Sequence, residues 1–114
     1  MNKVIFNGNV GADADVRTVN NTKVANFNVA NTERWKDKDG NKQEKTTWMP
    51  VVAWGGLATL AEKFIKKGKN LQVTGKLNVR NWTDDQGVKH TVTEIEAEDI
   101  EFLGPKPADD MPAA

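Results

Sequence analysis

The most informative part of the chain is the stretch Thr46-Thr47-Trp48-Met49-Pro50-Val51-Val52-Ala53-Trp54-Gly55-Gly56. Successive side chains of a β-strand point to opposite faces. One face therefore carries Trp48, Pro50, Val52 and Trp54, and the other carries Thr47, Met49, Val51 and Ala53. The second set is typical of a core face, so the stretch predicts a strand with two indoles on its other face.

Trp48 and Trp54 are six residues apart, which is roughly 20 Å along a strand that rises about 3.3 Å per residue. Aromatic side chains at that spacing on a sheet suit a ligand with several flat faces in a row, and single-stranded nucleic acid is such a ligand. The alternative is a strand buried on both faces with the indoles as core filler, because Trp is usually largely buried. This stretch alone leaves both interpretations open.

Composition limits the class of protein. A chain of 114 residues suffices for one domain with a real core and is too short for two. The absence of cysteine excludes disulfides and thiolate metal sites, and it is compatible with a reducing compartment. No apolar run approaches the ~20 residues that span a bilayer, and the N-terminus enters a strand pattern without a signal peptide. We therefore expect a cytoplasmic protein with no membrane partner.

The net charge of zero hides an uneven distribution. Residues 1–93 have a balance of +6, and residues 94–114 have a balance of −6. This asymmetry is typical of a basic body with an acidic C-terminal portion. An ordinary solvated surface with uneven charges is the alternative.

Hydrophobic periodicity predicts five strands and one helix. The strands lie at 2–10 with a bulge or bend at Gly8, at 23–32, around Trp48, at 69–82 and at 88–97, while 16–19 continues the first extended segment. The predicted helix carries an apolar stripe, and Gly68 is expected at its C′ position. The stripe consists of Leu57, Leu60, Ala61, Phe64 and Ile65. With the helix between the third and fourth strands, this order predicts a mostly-β OB-fold, a five-stranded Greek-key barrel.

Two further tryptophans lie in polar surroundings. Trp35 stands between Arg34 and Lys36, before a polar run with a turn at Asp39-Gly40. Core filler is the alternative for Trp35. Trp82 shares its strand face with the cations Arg80 and Lys76, whereas the Leu and Val residues of that strand face the other way.

The sequence resembles the bacterial single-stranded-DNA-binding protein (SSB) family from residue 2 to about residue 104. The resemblance rests on Asn2-Lys3-Val4-Ile5, Gly8-Asn9, Gly11, Val16-Arg17, Val24-Ala25-Asn26, Trp35-Lys36-Asp37, Thr47-Trp48, Val51-Val52-Ala53-Trp54-Gly55, Leu57-Ala58, Lys67-Gly68, Val73-Thr74-Gly75-Lys76-Leu77 and Arg80-Asn81-Trp82-Thr83-Asp84. It implies an OB-fold, a homotetramer and sequence-independent binding of single-stranded DNA in replication, recombination and repair. It implies no cofactor.

The resemblance also implies the site residues. The stacking positions of the family are Trp35, Trp48 and Trp82, with Trp54 at a further aromatic position. The phosphate-contacting positions are Lys3, Lys36, Lys38, Lys67 and Arg80.

The chain departs from the family pattern at several positions. Pro50 and Gly56 replace frequent cations, and Met49 replaces a frequent His near the subunit interface, which bears on tetramer stability. We expect the domain to cover residues 1–104 and residues 105–114 to form a short flexible acidic tail. This tail lacks the terminal Phe of the family, so recruitment of replication and repair proteins through it is in question.

Two other classes of function compete with DNA binding. An enzyme would need a nucleophile–base pair or a ligand cluster, yet His90 is the one histidine, and Glu94, Glu96 and Glu98 are interpreted as solvated carboxylates on one strand face instead of a metal site. We therefore expect no enzyme activity and no metal. An OB-fold module that binds oligosaccharide or a protein partner is the other alternative, since fold does not imply function.

Overall fold

The structure is a computed structural model that describes residues 1–103. These residues form six strands and one helix. In chain order the elements are β1 (Val4–Val10), β2 (Asp15–Val19), β3 (Thr22–Lys36), β4 (Lys42–Trp54), α1 (Gly56–Phe64), β5 (Asn70–Thr83) and β6 (Lys89–Phe102). The proposed tail, residues 105–114, lies outside the described residues.

Five of the strands pair in a closed ring. β1 pairs with β5, β5 with β6, β6 with β4, β4 with β3, and β3 with β1. All of these pairings are antiparallel except the one between β4 and β6, where Val51 lies opposite Ile95. The predicted mostly-β fold, with a helix between the third and fourth strands of a five-stranded ring, is confirmed. The segment 16–19 belongs to a separate sixth strand, β2, which pairs with β3 at the edge.

Gly8 lies where β1 passes between its two partners. At Gly8 the strand pairs with Leu71 of β5, and at Asn9 and Val10 it also pairs with β3. A Cβ atom on Gly8 would lie 2.1 Å from the carbonyl oxygen of Ala30, so only glycine permits this crossing. Of the two predicted alternatives at Gly8, a bulge or a bend, the bulge is wrong, because the register of β1 on β5 runs through this residue unbroken. The shift in register occurs instead between Thr74 and Gly75, opposite β6.

The core lies inside the ring and under α1. Its largest fully buried side chains are Ile65, Leu71, Ile95, Val29, Val51 and Val73. The predicted inward residues Phe27 and Ala53 are buried as well, because period-two alternation places them on the same face as Val29 and Val51. On α1 the buried side chains are those of Ala58 and Ala61.

The end of the helix differs from the prediction. The backbone dihedrals at Ile65 are already extended, so α1 ends at Phe64. The Phe64 side chain is exposed and packs edge-on against Phe102, so it is not part of the predicted core stripe. Gly68 is not at C′. It lies in the following turn with φ of 87°, where its N–H donates to the carbonyl oxygen of Val10 at 2.7 Å.

Two hairpin arms extend beyond the core: the ends of β3 and β4 form one, and the ends of β5 and β6 form the other. The predicted inward face of β5 holds for Leu71, Val73 and Gly75, but Leu77 and Val79 are exposed. Both residues lie beyond Gly75, where the pairing of β5 with β1 ends. The alternation is correct, and what changes along the strand is whether anything packs against it.

Candidate nucleic-acid interface

Trp48 and Trp54 lie on the outer face of the ring, with 57% and 44% of their surfaces exposed. They share this face with Pro50 and Val52, and in the register of β3 on β4 those two lie opposite Asn28 and Asn26. Both asparagines are exposed, whereas Val52 is buried. The interpretation of these indoles as core filler is therefore wrong, and exposed amides lie on the neighbouring strand.

The Trp48 indole lies over Gly11. A Cβ atom at residue 11 would be 2.7 Å from the Cζ3 atom and 2.8 Å from the Cη2 atom of Trp48. Glycine at this position thus allows the Cζ3–Cη2 edge of the indole to approach the segment after β1. Gly11 is one of the residues that carry the family resemblance, but no role was predicted for it. Only the tertiary structure places it against the Trp48 indole.

A groove runs along this outer face from Trp48 to Trp54 and onto β5 and β6. Its first part is lined by Trp48, Pro50, Asn26 and Asn28 and by the carboxylates of Asp13 and Asp15. Its second part is lined by residues of four strands, and Asn26 and Glu94 belong to both parts. The second part comprises Val24, Asn26, Val52, Trp54, Asn78, Arg80, Glu94 and Glu96. Asn78 is a groove residue that was not predicted as a site residue. It lies two residues before Arg80 and four before Trp82, and this spacing already places it on their strand face.

Arg80 is bound to Glu94 in this groove. Its Nε and Nη2 atoms both lie 3.1 Å from Oε1 of Glu94, and Asn78 Nδ2 donates to Oε2 at 3.4 Å. The Glu94 side chain is only 8% exposed. The prediction of a solvated carboxylate is therefore wrong for Glu94. The prediction that Glu98 shares a strand face with Glu94 and Glu96 is also wrong. The register shift opposite Thr74 and Gly75 leaves Glu98 without a cross-strand partner on β5.

Trp82 lies on the same outer face as Arg80, farther along the β5–β6 arm, and is 49% exposed. Its ring stacks on His90, with centroids 4.3 Å apart and planes 20° from parallel. The His90 Nε2 atom lies 2.9 Å from Oδ2 of Asp84. A carboxylate only accepts hydrogen bonds, so Nε2 is the donor. This bond, followed by the N–H of Val88, holds the pKa of Asp84 below its usual range.

Trp35, which is 46% exposed, lies apart from the other three indoles. It pairs with Gln43, whereas Trp48 pairs with Ala30, and the register between these positions has no shift. Alternation therefore puts Trp35 on the opposite face of the β3–β4 arm from Trp48. The core-filler alternative for Trp35 is wrong, because this part of the arm lies outside the core. The structure brings Trp48, Trp54 and Trp82 to one face and leaves Trp35 at a separate tip.

The predicted cations are spread over several elements. Lys36 and Lys38 lie at the β3–β4 tip, Lys3 precedes β1, and Lys67 follows α1. All four are exposed. The Nζ atom of Lys3 lies 4.0 Å from Glu98, and the backbone N–H of Lys67 donates to Asp13 at 2.9 Å. These four lysines therefore lie outside the residues that line the groove, and the lining carries amides, carboxylates and the Arg80 guanidinium.

Five of the seven acidic residues in the C-terminal portion lie in a strand. Glu94, Glu96, Glu98, Asp99 and Glu101 all lie in β6. The predicted contrast between a basic body and an acidic end is therefore a contrast within the folded domain, since β6 pairs with both β4 and β5.

Residues 1–103 match the Single-strand binding protein family. The chain belongs to that family. It is 48% identical to Single-stranded DNA-binding protein 1 of Xylella fastidiosa, over 93% of this chain and 79% of the relative. It is 41% identical to Single-stranded DNA-binding protein 1 of Chlorobaculum tepidum, over 93% of this chain and 67% of that protein.

This chain also resembles a solved structure. It is the Plasmodium falciparum SSB complex with ssDNA, with a TM-score of 0.83 and 31% sequence identity over 91% of this chain and 96% of that chain. Within residues 1–103 no helix has the length and apolar character needed to cross a membrane.

Proposed function

We propose that the protein binds single-stranded DNA without sequence preference along the outer face of the ring. The observation that carries the proposal is that Trp48, Trp54 and Trp82 are exposed on one face of the sheet, beside a groove lined by amides. Membership of the Single-strand binding protein family supports it. So do the names of the two relatives and the DNA complex of the similar structure.

Base stacking on the indoles would supply much of the affinity. Stacking on an aromatic side chain contributes about 1–3 kcal/mol per base and tolerates any sequence, because every base has a π face. Trp48 and Trp54 would stack bases over the ring, and Trp35 and Trp82 would stack bases at the two arm tips. A strand that reaches all four indoles must leave the ring face to contact Trp35.

Phosphate contacts would come from exposed cations outside the groove lining. Lys3, Lys36, Lys38 and Lys67 are exposed cations, and neutralising phosphates releases counterions, which makes the affinity fall steeply with salt. Arg80 has a second role, because it also neutralises a buried carboxylate. The carboxylates on the groove floor would repel phosphates, which favours a strand with its bases toward the protein and its phosphates toward the rim.

A fluorescence titration tests the proposed function. Saturating oligo-dT should strongly quench tryptophan emission, duplex DNA of equal length should not, and raising the salt concentration should weaken the oligo-dT affinity. An equal response to duplex and single strand would contradict the proposal. The comparisons do not favour the alternative of an OB-fold module for oligosaccharide or a protein partner, and neutral oligosaccharides serve as the negative control.

We further propose a homotetramer that acts in DNA replication, recombination and repair. Leu77 and Val79 are exposed apolar side chains on one face of β5, outside the groove residues, and exposed apolar groups that lie together mark interaction surfaces. The proposed role is that of a binding protein and not of an enzyme, and it would place the protein in the bacterial cytoplasm. Partner recruitment through the tail depends on residues outside the described ones.

A further inference from the structure

The two hairpin arms carry the same sequence pattern at their tips. Residues 35–43 read Trp-Lys-Asp-Lys-Asp-Gly-Asn-Lys-Gln, and residues 82–90 read Trp-Thr-Asp-Asp-Gln-Gly-Val-Lys-His. Both follow the spacing Trp-x-Asp-x-x-Gly-x-Lys, followed by Gln or His. The two segments lie in separate hairpins, one between β3 and β4 and the other between β5 and β6.

The repeated pattern has the same hydrogen bonds in both tips. Oδ1 of Asp37 accepts the N–H groups of Asp39 and Asn41, both at 2.9 Å. Oδ1 of Asp84 accepts those of the residues at the same spacing, Gln86 and Val88, also at 2.9 Å. Both turns contain a glycine with φ of 80°, Gly40 and Gly87. The shared spacing therefore encodes one turn, in which an Asp side chain ties the loop together.

The second oxygen of each Asp connects the turn to the indole. Oδ2 of Asp37 accepts Nε2 of Gln43 at 3.0 Å, and Oδ2 of Asp84 accepts Nε2 of His90 at 2.9 Å. Gln43 lies directly opposite Trp35, and His90 lies directly opposite Trp82. Residues in such a cross-strand pair have side chains on the same face, close enough to interact. In each tip the Asp thus holds the side chain that lies beside the tryptophan.

We propose that the two tips are copies of one indole-positioning module, in which Gln43 and His90 are positioning residues that hold Trp35 and Trp82 ready to stack on DNA bases. The inference rests on the proposed function. His90 covers one face of the Trp82 ring at 4.3 Å, which leaves the other face for a base. Restraining an exposed indole before binding lowers the entropy lost when the base stacks.

The copies differ in one respect, which makes the proposal testable. Histidine changes charge between about pH 5 and 8, and glutamine does not. The charged groups on the His90 face of β5 and β6 are Arg80, Glu94, Lys76 and Glu96, with Asp84 in the turn, and Arg80 is paired with Glu94. A protonated His90 keeps its bond to Asp84 as a charge-assisted pair and presents a cation to the indole. The Trp82 module therefore tightens as the pH falls, and the Trp35 module does not.

Exchanging the two residues tests the module in the free protein. In wild type, the indole Nε1–H resonance of Trp82 should move between pH 5.5 and pH 8, and that of Trp35 should not. Gln43→His should make the Trp35 resonance titrate, and His90→Gln should make the Trp82 resonance stationary. This measurement does not involve DNA, so it reports on the positioning contact alone.

Oligo-dT affinity over the same pH range tests the consequence for binding. Wild type should bind about two- to five-fold tighter at pH 5.5 than at pH 8, His90→Gln should lose this difference, and His90→Ala and Gln43→Ala should bind several-fold more weakly at every pH. The double variant His90→Gln/Thr91→His is the matched control, because exposed Thr91 lies next in the strand and faces away from Trp82. This control should remain independent of pH.

Three outcomes would overturn the inference. The first is wild-type affinity in both alanine variants at every pH, and the second is a pH dependence restored by the Thr91→His control, which would mean that charge alone accounts for it. In both cases wild-type binding to oligo-dT would leave the proposed function standing. The third is a failure of wild type to bind oligo-dT, which would overturn the proposed function together with this inference.

Discussion

The guanidinium of Arg80 lies 3.1 Å from Oε1 of Glu94 across strands β5 and β6, at the floor of the groove. More than half of the Arg80 side chain is exposed, whereas the Glu94 side chain is 8% exposed. The arginine therefore neutralises a carboxylate that water barely reaches, and leaving such a group without a partner is costly. This pair gives Arg80 a structural role that the other cations of the site do not share.

We expect Arg80→Ala to lower the free energy of unfolding by about 1–3 kcal/mol, because it leaves the Glu94 carboxylate without its ion pair. Lys36→Ala, at an exposed arm position, should change stability by less than about 0.5 kcal/mol.

Glu94→Gln should release Arg80 and remove a negative charge from the groove, so oligo-dT should bind more tightly at low salt. Urea unfolding and DNA titrations measure these effects. Equal stability of Arg80→Ala and wild type would mean that Arg80 is simply a phosphate contact.

Trp48→Ala and Trp54→Ala should each weaken binding of single-stranded DNA by about 1–3 kcal/mol, since each removes a stacking surface. Both side chains are about half exposed, so folding should change little. Val51→Ala is the control on the inner face of the same strand, and it should reduce stability with little effect on the intrinsic affinity. If a Trp variant unfolded the domain and left the affinity intact, that indole would be a core residue.

Gly11→Ala should weaken DNA binding without unfolding the domain. The new methyl group would lie 2.7 Å from the Trp48 ring, so the indole must move from its place against this segment. Gly56→Ala is the matched control, because a Cβ atom at that position meets no atom within 4 Å. Oligo-dT titrations and the near-ultraviolet circular dichroism of Trp48 measure the effect. Identical affinity of the two alanine variants would show that the Trp48 orientation does not matter for binding.

Asp84→Asn should make the protein less sensitive to acid. The pKa of Asp84 is lowered in the folded state by the hydrogen bond from His90, so its contribution is present above the unfolded-state pKa of about 3.9 and is lost as the pH falls through the lower folded value. The free energy of unfolding of wild type should therefore fall more steeply below about pH 4 than that of Asp84→Asn. Parallel acid profiles for the two proteins would contradict this assignment.

Static light scattering should give a mass near 50 kDa, four times the 12.6 kDa of one chain. Leu77→Lys combined with Val79→Lys should reduce that mass, because it places two charges among exposed apolar side chains proposed to be covered in the tetramer. Val88→Lys is the control, since Val88 is also exposed but lies in the turn at the tip of an arm. A monomeric mass for wild type at micromolar concentration would remove the proposed assembly.

The sequence by itself determined which side of β3 and of β4 faces the core. The alternation around Trp48 and along 23–32 depends only on the period of two, so local chemistry suffices for it. The resemblance carried by the tryptophans and their neighbours likewise required no coordinates. What the period cannot show is where along a strand the core ends, and for that reason Leu77 and Val79 were wrongly expected inside.

Tertiary structure decided the contacts between segments far apart in the chain. Trp48 over Gly11 and the crossing of Gly8 over Ala30 both depend on how the ring closes. The pairing of Arg80 with Glu94 depends on the register of β5 on β6, and that register sets which side chains lie opposite each other. The equivalence of the two arm tips lies between these cases. Its spacing is written in the sequence, but its meaning required the hydrogen bonds of Asp37 and Asp84, because only folded hairpins bring each Asp to the residue beside its tryptophan.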